Sequence, residues 1–164
     1  MQDAAPVRYM EAIRLRYEKL GYDPYRWFAA DSPPAMTPLP KDLAQCRIGM
    51  VTTSGAYVAG QVAYHYKDDT SLRAIPTSTA ADALRFAHIT ENYLESSRRD
   101  PNCTVPLDAL RELAADGYIG DLADEVYSCM GGIYSQRRVR EELIPAVEAG
   151  LRAQQVDAVL LVPM

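Results

Sequence analysis

The sequence has little cysteine: Cys46, Cys103 and Cys129 are its full set, and no two of them form a C-x-x-C pair. An odd, sparse set argues against a disulfide framework or a zinc site, so no metal is expected and a reducing cytoplasm is the expected location. Long apolar runs are also missing. The cleanest, Val156 to Val162, is broken by Asp157 and falls far short of the ~20 residues that a membrane span needs. The opening Met1-Gln2-Asp3-Ala4-Ala5-Pro6 has neither a basic head nor an apolar core, so no signal peptide is expected. Positive charge is not in excess, with 17 Lys and Arg against 22 Asp and Glu for a net charge of -5, and no basic cluster reverses the balance. That excludes a nucleic-acid footprint. Neither a G-x-G-x-x-G nor a Walker pattern occurs, and there is no internal repeat.

What is present suits a globular domain: 164 residues, 48% hydrophobic and 24% charged. A chain of this length can bury roughly two-thirds of its unfolded surface. A first helix is expected over Pro6 to Leu20, with Val7, Met10, Ile13, Tyr17 and Leu20 on one face and Gly21 closing it. Tyr22 to Lys41 carries five prolines with Trp27 and Phe28, and reads as an ordered connector that packs on the domain. Residues 1–45 are thus set apart from an α/β domain over 46–164.

In that domain Cys46 to Thr52 reads as a strand that ends in the small-residue loop Thr53-Ser54-Gly55-Ala56. Tyr57 to Thr70 shows only weak patterning, and Ser71 to Ile75 is a second extended segment. Thr79 to Asn92 is open between a helix, from its capping-box spacing, and a strand, from the alternation of Leu84, Phe86 and His88. Thr104 is expected to cap a helix that holds Leu107, Leu110 and Leu113 on one face and leaves at Gly117. Glu125 to Met130 reads as a strand before Gly131-Gly132. A long helix follows over Ser135 to Ala153, kinked or restarted at Pro145. Val156 to Val162 has the composition of a parallel strand buried on both faces. The expected class is α/β, a mainly parallel open sheet flanked by helices (Rossmann-like) and incomplete at its carboxyl end.

Ligands of such sheets sit outside the carboxyl ends of the strands. Three loops qualify: Thr53-Ser54-Gly55, Met130-Gly131-Gly132, and whatever follows Val162-Pro163-Met164. The sequence ends two residues after its last strand, which is read either as a natural last strand or as truncation at the rim of an active site.

Several segments resemble a known family. Asp69-Thr70-Ser71-Leu72-Arg73-Ala74-Ile75-Pro76 is similar to the D-x-S-x-R-x-I-P element of selenoprotein B of the glycine/sarcosine/betaine/D-proline reductase family, with His88 where that family has a histidine. Asp100-Pro101-Asn102 through Leu110 resembles its D-x-N-x-x-x-P-[IL]-D-x-L stretch. Gly117-Tyr118-Ile119-Gly120 looks like its G-x-I-G turn, and Ser128-Cys129-Met130-Gly131 like its S-x-M-G. Val156 to Pro163 resembles the strand that leads, one residue later, to the selenocysteine or cysteine of the active site. The matches keep the family's order over about Cys46 to Met164. Asp68 departs from it, since many members have glycine there.

The resemblance implies reductive cleavage of the C–N bond of a small amino acid or an N-methylated derivative. It also implies partner reductase subunits, one with a pyruvoyl group that activates the substrate, and a redox protein that recycles the enzyme. The nucleophile would be residue 165, a selenocysteine or cysteine; a UGA codon read as stop would give this endpoint, and the 164-residue form is expected to be inactive. Selenium suits the task because its acid is stronger than a thiol.

For single residues the expectations divide. Asp69 and Arg73 are either a solvent-exposed ion pair or a catalytic pair in which Arg73 forks onto a substrate carboxylate. His88 is a general acid or base, or a structural histidine. His65 is expected to be structural. Cys129 is a redox partner facing the nucleophile, or a small buried filler. Ser54, Gly55, Ser71, Gly131 and Gly132 are candidates for substrate binding. Two other readings stand beside the reductase: a non-catalytic module holding a phosphate or nucleotide at a Gly131-Gly132 helix start, and a family offshoot with different chemistry. An unfinished sheet edge would favour self-association.

Overall fold

The computed structural model describes residues 8–24, 28–35 and 37–164, so Pro6, Val7 and Trp27 of the expected first helix and connector lie outside the described residues. The chain divides into two compact units, Met1–Thr37 and Pro38–Met164.

The first unit holds α1 (Tyr9–Lys19), which has no buried residue. Arg14 and Glu18 pair across one turn at 2.5 Å, and the helix closes as expected: Gly21 takes φ 76, its N–H donates to the Glu18 carbonyl, and that of Tyr22 to Tyr17. Only glycine enters this left-handed position without strain.

The second unit is built on β1 (Arg47–Thr52), buried at five of its six positions. The elements after it are β2 (Ala56–Val58), β3 (Arg73–Pro76), β4 (Leu84–Phe86), α2 (Leu94–Arg99), α3 (Leu107–Ala115), β5 (Asp121–Leu122), β6 (Glu125–Ser128), α4 (Gln136–Arg138), α5 (Ile144–Ala153) and β7 (Ala158–Val162). On one side β1 pairs with β7 in parallel, from Ile48–Ala158 to Thr52–Val162. On its other side lie β5 against the first half and β6 against the second, both parallel. The register moves by two residues between them, so Ala123 and Asp124 form a bulge in what is otherwise one strand position. β3 pairs antiparallel with β6. The result is a mainly parallel sheet with α3 on one face and α5 on the other, as the sequence led one to expect. Met50, Ile75 and Val126 meet Leu107 and Leu110 on the first face. Val51, Cys129 and Leu143 meet Val147 and Leu151 on the second.

Thr79 to Asn92 resolves toward strand: a short turn at Ala81–Ala83 leads into β4, which pairs with β2, a strand in a segment of weak patterning. The Thr104 cap is corrected. Thr104 Oγ1 instead donates to Ser97 Oγ at 3.1 Å. Asn102 caps α3: its Oδ1 accepts the Asp108 N–H at 3.1 Å, while its Nδ2 donates to the Asp108 carboxylate at 2.7 Å. A side chain from the preceding turn thus satisfies an N–H that the helix cannot. Gly117 ends α3 as expected, with φ 74.

The long helix starts at Ser135, whose hydroxyl accepts the Arg138 N–H. It widens into a π turn over Val139–Leu143 before α5. Pro145 has no N–H for the Glu141 carbonyl and its ring would press on it, so the wider turn accommodates the proline without a break.

The expectation that Val156 to Val162 is buried on both faces is corrected. Among the described residues β7 pairs only with β1, and Leu161 is 68% exposed. Its apolar composition therefore belongs to an edge strand. Asp157, which breaks the run, anchors it by accepting the Arg47 N–H at 2.7 Å and pairing with Lys41 at 2.8 Å. No helix among the described residues is long and apolar enough to cross a membrane.

Candidate functional site

The carboxyl ends of β1, β6 and β7 converge on one rim. The Thr53 N–H donates to the Val162 carbonyl, and the Gly55 N–H to that of Cys129. The Met164 N–H donates to Thr53 Oγ1 at 2.9 Å. Ser54 forms an isolated bridge with Met130.

His88 enters this rim from the segment after β4 and is buried. Its Nδ1 accepts the Thr90 backbone N–H at 3.1 Å and lies 2.6 Å from Thr90 Oγ1. Its Nε2 is buried and has no hydrogen-bond partner. Since Nδ1 is an acceptor, the neutral ring carries its proton on Nε2. Gly131 locates that nitrogen: a Cβ there would stand 2.8 Å from His88 Nε2, 2.8 Å from the Thr53 carbonyl oxygen and 3.2 Å from Thr53 Oγ1. His88 Nε2 and Thr53 Oγ1 therefore flank one point, beside the backbone of Met164. Burial lowers the His88 pKa, opposed by the charge of Glu91, so the ring is held toward its neutral form. An unpaired buried donor costs about 1–3 kcal/mol, and its survival at a strand-end rim marks a place where a ligand or reacting group can supply the missing acceptor.

The glycines serve close approach. A side chain on Gly131 would meet His88 and Thr53, one on Gly132 would run into Ile89, and one on Gly55 into the Ala87 carbonyl. The expected Gly131-Gly132 helix start is corrected, because the helix begins at Gln136 behind the Ser135 cap. The Asp68 carboxylate already accepts the N–H groups of Tyr134 (2.7 Å) and Ser135 (3.0 Å) there. An internal anion thus occupies the place a phosphate would take.

Asp69, Ser71 and Arg73 gather into a cluster of their own. Asp69 accepts the N–H groups of His65 and Ser71 and the Ser71 hydroxyl. Burial opposes the charge on Asp69, but the bonds from Ser71 and His65 outweigh it and lower the pKa. The Arg73 guanidinium donates to Val62 O (2.6 Å), Ser71 Oγ (2.7 Å), Leu72 O (3.1 Å) and Ala63 O (3.3 Å), and rests 4.3 Å over the Tyr64 ring. The fork expected to hold a substrate carboxylate is spent on the protein's own carbonyls. Nor is the Asp69–Arg73 pair a surface one: its members are 4.0 Å apart and 14% and 13% exposed. Tyr64, in turn, donates to the Ser128 carbonyl at 2.5 Å and so ties this loop to the end of β6.

Cys129 points to the α5 face, among Val51 and Leu143. Its thiol donates to the Thr52 carbonyl at 3.6 Å, and burial pushes its pKa to about 11. It is a neutral thiol in an apolar cluster. Ser54 is fully buried and accepts from Thr52 Oγ1 at 3.0 Å. Beside it Ser128, paired with Thr52 across the sheet, has a buried hydroxyl without a partner. The sequence reading put Thr53 in a candidate loop and Ser128 in a motif but gave neither a role, and it missed Thr90. The position of Thr53 and Ser128 at strand ends was a signal for those two; Thr90 lay in the segment left open between helix and strand. Among the described residues no group of three or more His, Cys, Asp or Glu could hold a metal ion.

Comparison with known proteins adds to this geometry. Residues 28–163 match the family model described as glycine/sarcosine/betaine reductase selenoprotein B. The chain is also similar to the D-proline reductase subunit gamma of Acetoanaerobium sticklandii, 32% identical over 130 residues, which cover 79% of this chain and 53% of that protein. It thus spans about half the length of the curated relative it matches. No solved structure matches the chain.

Proposed function

The chain belongs to the glycine/sarcosine/betaine reductase selenoprotein B family, and from that premise we propose that it is part of a reductase subunit that cleaves the C–N bond of a small amino acid or its N-methylated derivative. The nucleophile in this reading is a selenocysteine or cysteine at position 165, on the loop after β7. Partner subunits complete the enzyme, and a pyruvoyl group on one of them supplies substrate activation.

The observation that carries the proposal is the buried, unpartnered Nε2–H of His88 at the strand-end rim, beside Thr53, Gly131 and Met164. A neutral imidazole is a poor acid but a good hydrogen-bond donor. Its task here is to stabilise the anionic form of the attacking group, which must be deprotonated to react. Thr53 assists by holding the Met164 backbone and so aiming the residue after it. Gly131 lets the His88 ring and the Thr53 carbonyl approach, since a Cβ there would stand 2.8 Å from each. Asp69, Ser71 and Arg73 act at one remove, by fixing the loop that Tyr64 ties to Ser128.

The test is a chain extended through position 165, with selenocysteine or cysteine there, assembled with its partner subunits and given dithiothreitol. D-proline, glycine, sarcosine and betaine are offered in turn. Cleavage of one of the four is expected, abolished by serine at 165 and slowed about a hundredfold by His88→Phe, which removes the donor. Failure to consume any of them, or full activity of the His88→Phe enzyme, would overturn the proposal.

A further inference from the structure

The Nε2–H of His88 exists only in one of two neutral tautomers, and a single neighbour selects it. The Thr90 backbone N–H, 3.1 Å from Nδ1, can only donate, so it requires a lone pair on Nδ1 and leaves the proton on Nε2. The Thr90 hydroxyl, 2.6 Å from the same nitrogen, has no such restriction by itself, for it could accept from a protonated Nδ1. That nitrogen has one lone pair, so the backbone N–H alone fixes the tautomer, and the hydroxyl, able to face either form, steadies the ring. Both contacts come from a residue two positions along the chain, in the turn before Glu91–Tyr93, so ring orientation and proton position are set by one short local loop.

Burial sharpens the need for such a device. It favours the neutral ring, and a neutral ring can present either a donor or a lone pair to the rim. Only the donor suits an anion. Thr53 cannot force the choice, since a hydroxyl both donates and accepts.

We infer that Thr90 is the positioning residue for His88: its backbone N–H locks the Nε2–H tautomer, and its hydroxyl beside the same nitrogen holds the ring so that this proton faces the Thr53–Gly131 rim. The inference rests on the functional reading of His88 given above, and it names what makes that reading chemically possible.

The test needs no turnover. Ring-nitrogen NMR of the 164-residue chain, with His65 as internal reference, reads the tautomer ratio of His88 in the wild type, Thr90→Pro and Thr90→Val. The wild type is expected to be almost wholly Nε2-protonated. Thr90→Pro, which removes the N–H, should lower the ratio about fivefold, the worth of one lost hydrogen bond, and Thr90→Val, which keeps it, should leave the ratio nearly unchanged. If Thr90→Pro does not fold, the wild-type ratio alone decides. Were the Thr90 N–H only to stabilise its turn, Thr90→Pro would lower the unfolding midpoint and leave the ratio untouched. That result, or an Nδ1-protonated wild type, would overturn the inference. A tautomer set by Thr90 in an enzyme that consumes none of the four substrates would overturn the reductase reading alone.

Discussion

Asp68 caps the long helix from a distance in sequence: its carboxylate accepts the Ser135 backbone N–H at 3.0 Å. The same residue holds the left-handed backbone, with φ 48. Aspartate tolerates that conformation better than most residues. Here it also fills the helix start, and Arg138 completes the tie by donating to the Asp68 carbonyl at 2.5 Å and to Thr70 Oγ1 at 2.9 Å.

Variants at this position should rank by two separable effects. Asp68→Ala loses the cap and keeps the left-handed strain, and should cost about 1–2 kcal/mol. Asp68→Gly loses the cap but sheds the strain, so it should lie between alanine and wild type. Asp68→Asn keeps an acceptor and the tolerance, and should be mildest. Urea midpoints of the four proteins test the order; glycine falling below alanine would show that φ 48 carries no penalty.

The thiols should separate by burial. Cys103 is exposed, while Cys46 and Cys129 are buried. With its pKa near 11, Cys129 carries almost no thiolate at pH 8. Ellman's reagent should therefore label one thiol in the native chain and all three in urea. Fast labelling of Cys129 in the native state would return it to the list of redox candidates.

Much of the architecture was legible because apolar periodicity reports burial directly. β1, α3 and the long helix all follow it. What failed did so for identifiable reasons. The Val156 to Val162 run predicts a doubly buried strand from composition, yet burial depends on neighbours, and among the described residues β7 has β1 on one side only. Thr104 has the right chemistry for a cap, but Asn102 reaches the helix start and Ser97 takes the threonine hydroxyl. The motif residues divide in a way no linear pattern shows. Asp69, Ser71 and Arg73 saturate one another and nearby carbonyls. His88 alone among the proposed catalytic residues keeps an unpaired nitrogen at the rim. Spacing marks which residues recur together; only the hydrogen-bond inventory tells those that hold the fold from one with a valence to spare.

That spare nitrogen should make itself felt in the pH dependence of stability. Burial sets the folded-state pKa of His88 below its ordinary value of 6.5, with Glu91 pulling the other way. Above about pH 6.5 the ring is neutral in both folded and unfolded chains, and folding bears no cost from it. As pH falls below that value the unfolded chain takes up the proton first, so stability declines. The loss is complete once pH has passed the lower, folded value. The carboxylates with lowered pKa (Asp69, Glu142 and Asp157) act elsewhere, since their contributions are fully present above their ordinary values of 3.8 to 4.5 and fade only below them. Between pH 7.5 and 5.5 the decline should therefore belong largely to His88. Urea midpoints of the wild type should drop over this interval, and those of His88→Gln, which stays neutral, should stay nearly level. A variant that declines as steeply as the wild type would place the titration on another group and would remove the argument that the buried ring is held neutral.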